Sequence, residues 1–278
     1  MNSDHVAKQV APSALGDDAR RFFNLTLTLA RTDFKLRYFG SVLGYVWSLV
    51  RPLLFFGVLY VMFTYVFHAG RGVPHYPVYL LTSIVLWTFF METTTGCVQC
   101  LLFREGLLRK MRFPRLVIPL SVGLTALFNL GMNFIVVLAF ALITGVSPGL
   151  GWFELPLLVI LIAALACGIG MLLSVLYVRF RDVQPIWDVI AQVLFYASPI
   201  IYTAKTYPSS VVRLAMINPI ASILTQMHHS FVDPRAHSAA TVIGGSVRLI
   251  LPLGIIAALV ALGAWVFTRE APRIAENL

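Results

Sequence analysis

LPLLVILIAALACGIGMLLSVLYV, residues 155–178, runs for 24 residues without an Asp, Glu, Lys or Arg. A helix needs about 20 mostly apolar residues to cross the hydrocarbon core of a bilayer, so this stretch is a transmembrane span by length alone. Other windows of the same kind lie around it. Pro52–Gly70 comes before, and Gly72–Phe103 is broken once, by Glu92. Leu116–Phe153 is 38 residues long and must hold a loop as well as a span. Val189–Ala204 and Leu249–Thr268 follow. Together they predict an all-α membrane protein with six transmembrane helices over about 50–68, 78–101, 117–143, 155–178, 187–202 and 249–268. The fifth is short, and Pro199, Pro208, Pro219 and Pro234 interrupt the apolar stretch after it. That region predicts short re-entrant helices before the last span, because irregular backbone at membrane depth needs protein or a cavity to shelter it.

Composition agrees with this reading. Of 278 residues, 59% are hydrophobic and 12% charged, against about 25% charged in a soluble domain. An ordinary soluble enzyme and a disordered chain are both excluded. The balance of 21 basic against 12 acidic side chains gives a net charge of +9, which suits nucleic acid, a membrane surface or cytoplasmic loops. Position decides between them. With the N-terminus inside, 16 cations fall on cytoplasmic segments: those up to Arg51, Arg104–Arg115, Arg179 and Arg181, and Arg269 and Arg273. Only 5 fall outside, namely Arg71, Lys205, Arg213, Arg235 and Arg248. The asymmetry predicts a multi-pass protein of the cytoplasmic (inner) membrane with both termini cytoplasmic, and it accounts for the charge without nucleic acid. Residues 1–17 read as a flexible tail with no signal-peptide pattern, and 18–278 as a single transmembrane domain.

Four features stand out from the spans. In 18–41, Phe22, Leu25, Leu29, Leu36 and Phe39 recur near helical spacing among Arg20, Arg21, Arg31, Lys35 and Arg37, the pattern of an amphipathic helix lying in the membrane interface. It reads either as an anchor or as a contact for a phosphate-bearing lipid or a partner. In 103–115, Leu107, Leu108, Met111 and Phe113 alternate with Arg109, Lys110 and Arg112 before Pro114, as in a short helix that protrudes into the cytoplasm and could dock a partner. After the fourth span, Arg179 and Arg181 are placed to pair with Asp182. Glu92 lies within a span, beside Thr93, Thr94 and Thr95 as possible hydrogen-bonding neighbours; an intramembrane carboxylate is a candidate functional group.

Other chemistry has little support. Cys97 and Cys100 form a CxxC with no further ligands nearby, and His228-His229 lack Cys or carboxylate company, so no metal site is expected. No GxxxxGK[ST], GxSxG or HExxH occurs, leaving no energy-coupling or catalytic machinery in this chain. The 35 aromatic residues lie largely in or beside spans, as core, as interfacial belt or as the apolar lining a sugar path would use.

The run Leu29–Tyr38 (LARTDFKLRY), Ser41–Trp47 (SVLGYVW) and Arg51-Pro-Leu53 resembles the opening of type-2 ATP-binding-cassette permeases that export polysaccharides. The resemblance continues through Leu108–Arg115 (LRKMRFPR), Pro119, Phe180-Arg-Asp182, Ser198–Tyr202 (SPIIY) and Asn218-Pro219, in order over about residues 20–268. It implies the membrane subunit of an exporter of lipid-linked O-antigen, capsular polysaccharide, teichoic acid or a related cell-wall glycan. It also implies a homodimer working with two separate ATPase subunits, which bind the ATP and Mg; no cofactor is expected on this chain. On that resemblance the N-terminal helix is a gate helix, with Arg31, Lys35 and Arg37 at the entrance for a lipid pyrophosphate. The loop with Arg104, Leu108, Arg109, Lys110, Arg112 and Phe113 is the coupling helix seated on the ATPase. Tyr60, Trp87, Glu92, Tyr196, Tyr202 and His228 are candidates for channel lining. Family members often carry Tyr-Arg where this chain has Met227-His228, and His228 replaces that arginine only when protonated. Three alternatives remain: a type-2 permease for a drug or small lipid, a polytopic membrane transferase, which would need clustered acids or histidines at one face, and a self-sufficient channel, which would need rings of charge.

Overall fold

The structure, a computed structural model, describes residues 19–38, 42–68, 70, 72–104, 106, 114–208 and 210–277. The expected tail 1–17 and the loop residues Leu108, Arg109, Lys110, Arg112 and Phe113 lie outside the described residues. Those described contain helices and no strand. Among the described residues, five helical stretches are long and apolar enough to cross a membrane: Val46–Val66, Tyr76–Val98, Val117–Ile143, Leu150–Arg179 and Ser246–Glu270.

In chain order, α1 is Ala19–Tyr38 and α2 is Val42–Val61, continued by a π-turn over Met62–Val66. Then come α3 (Tyr76–Val98), the short α4 (Cys100–Phe103), α5 (Val117–Ile143) and α6 (Leu155–Arg179). The segment expected at 187–202 is α7, Val183–Ala197, a helix of 15 residues. Three short helices follow, α8 (Val212–Ala215), α9 (Pro219–Met227) and α10 (Ala239–Ile243), before the terminal α11 (Ile250–Asn277). The second span therefore begins and ends a little before 78–101, and the first begins well before residue 50.

Local chemistry sets several boundaries. Pro77, Pro156 and Pro219 stand in the first turns of α3, α6 and α9, where a missing N–H costs nothing. The Asn218 side chain caps α9 by accepting from the Ile220 N–H at 3.0 Å, one of the donors a helix start leaves unpaired.

Helix α3 is the most buried of the long helices among the described residues. Of its central window 78% is buried, against 6% for the first span. Its buried threonines are satisfied within the helix: Thr82, Thr93 and Thr94 donate to the carbonyls of Val78, Phe89 and Phe90 at 2.7–2.9 Å, as an apolar surrounding requires. Helix α7 lies antiparallel along it. Gln99 at one end of α3 bonds Gln184 near the start of α7. At the other end the Tyr76 hydroxyl donates to the Ile201 carbonyl at 2.6 Å and Tyr79 to the carbonyls of Pro199 and Tyr202. A 15-residue helix reaches only about 22 Å; the non-helical Ser198–Tyr202 carries the chain on to the level of Tyr76.

Small residues set the spacing of the long helices. A methyl group at Gly168 of α6 would meet Val260 N at 2.9 Å, and one at Gly263 of α11 would run into the Gly168 carbonyl. On the other side of α6, Gly170 faces the Cys97 sulfur, where a Cβ would come within 2.8 Å. Close helix approach of this kind is how membrane helices gain packing energy in a solvent as apolar as themselves, and it gives Cys97 a packing role as a small side chain opposite a glycine.

Candidate functional site

The amphipathic helix α1 lies against α5 rather than standing apart. Thr26 and Ala30 are buried, Phe22, Leu25, Leu29, Asp33 and Phe34 half-buried, a spacing of three and four that makes one face. Phe34 meets Phe128 edge to face at 5.7 Å, and Thr125 donates to the Ala30 carbonyl at 3.3 Å. Leu36, expected on the apolar face, is exposed, because the helix turns Asp33 and Phe34 inward instead. Phe39 lies outside the described residues.

Two ion pairs fix this helix. Arg37 pairs with Glu92 of α3, whose carboxylate also accepts from the Asn129 amide at 2.6 Å. Asp33 pairs with Arg104, which donates in addition to Ser121 Oγ at 2.9 Å. Glu92 therefore stands toward the C-terminal end of α3 and is bound by a cation and an amide; Thr93 and Thr94 spend their hydroxyls on the backbone. Arg104 joins three elements, α1 through Asp33, α5 through Ser121 and α4 from which it extends, at the point where the chain leaves the helices for the loop. Neither pair could be read from local sequence. Their partners are 55 and 71 residues apart, and only the types of residue were visible.

The three cations assigned to a common entrance are divided by this geometry. Arg31 and Lys35 are exposed one turn apart on α1, whereas Arg37 is engaged by Glu92. Beyond α6, Arg179 and Arg181 lie over the rings of Phe180 and Tyr177 at 5.6 and 5.4 Å. Neither forms an ion pair with Asp182 among the described residues, since the neighbouring rings offer cation–π contacts.

The candidate lining residues separate into two groups. Phe56, Tyr60 and Tyr65 form a ladder of ring contacts along the first span, 5.6 and 6.2 Å between centroids. Phe55 meets Phe195 of α7 at 6.1 Å, a ring contact between the two helices. Their outward faces carry Leu54, Val58, Val61 and Tyr65 on one helix and Val189, Val193 and Tyr196 on the other, all exposed. Tyr202 donates to the Tyr196 carbonyl at 2.6 Å and meets the Tyr207 hydroxyl at 3.1 Å. Trp87, by contrast, is buried between α3 and α7, against Phe90 and Phe195, and its ring is core.

His228 is also inside. It is 8% exposed, its ring lies 4.5 Å from that of Tyr79, and its Nε2 has no hydrogen-bond partner among the described residues. Burial pushes its pKa down to about 4, outweighing the attraction of Asp233. It is neutral at pH 7 and carries no charge in place of an arginine. The folded imidazole resists a proton that the unfolded one takes at about 6.5, so stability falls as pH drops from about 6.5 to about 4. A wild-type unfolding midpoint that declines more steeply across this window than that of His228→Phe is the expected result, with at most about 3 kcal/mol between them at the acid end. Identical profiles would remove the effect.

Comparison with known proteins adds to the geometry. The sequence model of the ABC-2 type transporter family matches residues 24–232, from α1 to the turn after α9. An O-antigen export system permease protein of Klebsiella pneumoniae is 28% identical over 257 residues, covering 92% of this chain and 95% of the relative. One from Myxococcus xanthus is 28% identical over 221 residues, 79% and 84% of the two chains. A polysialic acid transport protein of Escherichia coli is 21% identical over 197 residues, 69% and 75%.

Proposed function

The chain belongs to the ABC-2 type transporter family, and on that premise we propose that it is the membrane-spanning subunit of an ATP-driven exporter of lipid-linked polysaccharide. The names of its relatives, O-antigen permeases and a polysialic acid transporter, support that cargo class over a drug or small lipid. In this reading ATP is bound and hydrolysed by two partner subunits. Both termini and the basic loop after Arg104 are cytoplasmic, and the loop docks the ATPase. Arg31 and Lys35 attract the lipid pyrophosphate at the inner face, a contact that two exposed cations one turn apart can make. Arg37 holds α1 down on Glu92.

One observation carries the pathway: the outward faces of α2 and α7 are apolar, rich in rings and left bare by their own subunit, with only 6% of the first span's central window buried. Two copies meet along these faces, and rings such as Tyr60, Tyr65 and Tyr196 offer a lining on which the apolar face of a sugar slides without being held. The test is reconstitution of the chain with its ATPase in proteoliposomes loaded with lipid-linked glycan. ATP-dependent appearance of the glycan on the far side is expected, with disulfide cross-linking between subunits bearing Val58→Cys and Val193→Cys. Glycan movement without the ATPase, or a chain that never cross-links, would overturn the reading.

A further inference from the structure

On the face opposite Arg104, two arginines stand beside one bare backbone position. Gly244, in a left-handed conformation (φ 93), ends α10. A Cβ there would meet Arg248 Nη1 at 2.7 Å and Arg213 Nε at 3.6 Å, so both guanidinium groups flank it. Both are exposed, and neither forms an ion pair among the described residues; Arg248 donates to the Ile243 carbonyl at 3.2 Å. Like charges brought together repel, and the arrangement is completed by an anion. The residues beside these arginines are apolar and exposed, Val211 and Leu214 around one, Val247 and Ile250 around the other. Guanidinium groups between bare apolar side chains belong at the level of lipid headgroups.

A groove of about 370 Å³ opens beside them between α6, α9 and α11. Its walls include Leu161, Ile223 and Ile256, and its lips Leu157 and Leu253 are about half exposed, so it faces the bilayer side of two long helices. Its volume falls in the range that holds a flexible small ligand. Ala239, one turn before Ile243, and Leu249, next to Arg248, also line it, so Arg248 adjoins its wall in the chain and Arg213 stands beside Arg248 across Gly244. The carboxylate at its rim, Glu154, is engaged by Gln226 and Ser230.

We propose that this is a binding site for an anionic glycerophospholipid, the phosphate between Arg213 and Arg248 and one acyl chain in the groove between α6, α9 and α11. A guanidinium pair presents the planar donors that phosphate oxygens accept, and the groove offers the chain an apolar wall in place of neighbouring lipid. The site rests on the chain spanning a bilayer and is independent of the cargo it moves.

The test uses the full chain in detergent, with phosphatidylglycerol, phosphatidylcholine or inorganic phosphate added, and reads lipid retention by native mass spectrometry beside the unfolding midpoint. Phosphatidylglycerol is expected to be retained and to raise the midpoint above that in phosphatidylcholine. Arg213→Gln/Arg248→Gln should bind it at least about tenfold more weakly, with an unchanged midpoint in phosphatidylcholine. Leu157→Trp, which fills the groove from its exposed lip and leaves the arginines in place, should also weaken retention. Undiminished phosphatidylglycerol retention in either variant overturns the site, as does inorganic phosphate stabilising the chain as well as the lipid does. Because no export is measured, a failure here is separable from failure of the exporter reading.

Discussion

Arg104→Glu is expected to reduce ATP-dependent export by roughly 30- to 100-fold, and the exchange Asp33→Arg/Arg104→Glu to restore most of it. The side chain of Arg104 is 17% exposed and that of Asp33 30%, so the pair is only partly hydrated. Hydrogen bonds to charged groups of this kind contribute about 1.5–3 kcal/mol. A reversal at this position does more than remove them. It places two carboxylates together at the junction of α1, α4 and α5, where α1 is otherwise held by the Thr125 bond to Ala30 and by the Arg37–Glu92 pair. If the loop after Arg104 receives the stroke of an ATPase, this pair links the start of that loop to α1, and its loss weakens the link through which hydrolysis would move the helix. The exchange restores the ion pair and removes the repulsion, and comparison at equal incorporation, with hydrolysis read beside export, separates a lost link from a loss of folding. The measurement is export in proteoliposomes beside the hydrolysis rate, for the single and double variants at equal incorporation. A double variant that folds but stays as inactive as the single one would show that the pair does not carry the coupling.

The sequence made some of this visible and hid the rest for physical reasons. The spans at 117–143 and 155–178 were legible almost to the residue, because an uninterrupted apolar run has no alternative to a buried helix. The period shows the face of α1 in outline but puts the exposed Leu36 on it, since two ion pairs and the Phe34–Phe128 contact set the rotation of the helix and none of them is local. The expected segment 187–202 has about the length of α7 but lies about one turn further along the chain than the helix, which runs Val183–Ala197. Hydropathy continues through Ser198–Tyr202, yet Pro199 cannot donate to a helix and the chain there is held by the tyrosines of α3. Of the proposed lining residues, Trp87 and His228 were placed by residue type alone. Burial is decided by which face of α3 meets α7, and a ring inside a span looks the same in sequence on either face. Glu92 stands out in the sequence as an expensive group, because a carboxylate in an apolar window needs partners; which partners it has depends on the approach of α1.

The same limit applies to the close contact between α6 and α11, where glycines 168 and 263 are unremarkable in the sequence of either helix. Gly263→Val is expected to leave little folded protein. Its side chain would have to occupy the position of the Gly168 carbonyl, and backbone cannot step aside as a flexible side chain can. Overpacking in a core typically costs about 1–3 kcal/mol, and here the relaxation that keeps such costs low is closed off. Moving α6 away from α11 presses it toward α3, where Gly170 already lies against Cys97 and Gly123 of α5 faces Cys167. The strain must be taken by three long helices together, so a cost at or above the top of that range follows, against a total stability of about 5–15 kcal/mol for a typical protein. Gly254→Val on the same helix is the matched control. A Cβ at 254 has nothing within 4 Å, while the change of residue type and helix propensity is identical. Unfolding midpoints of the two variants in detergent, with the monodisperse fraction after extraction, separate the effects: the Gly254 variant should stay within a few degrees of the wild type. Equal behaviour of the two would mean that α6 and α11 do not hold the close approach on which the arrangement of the long helices depends.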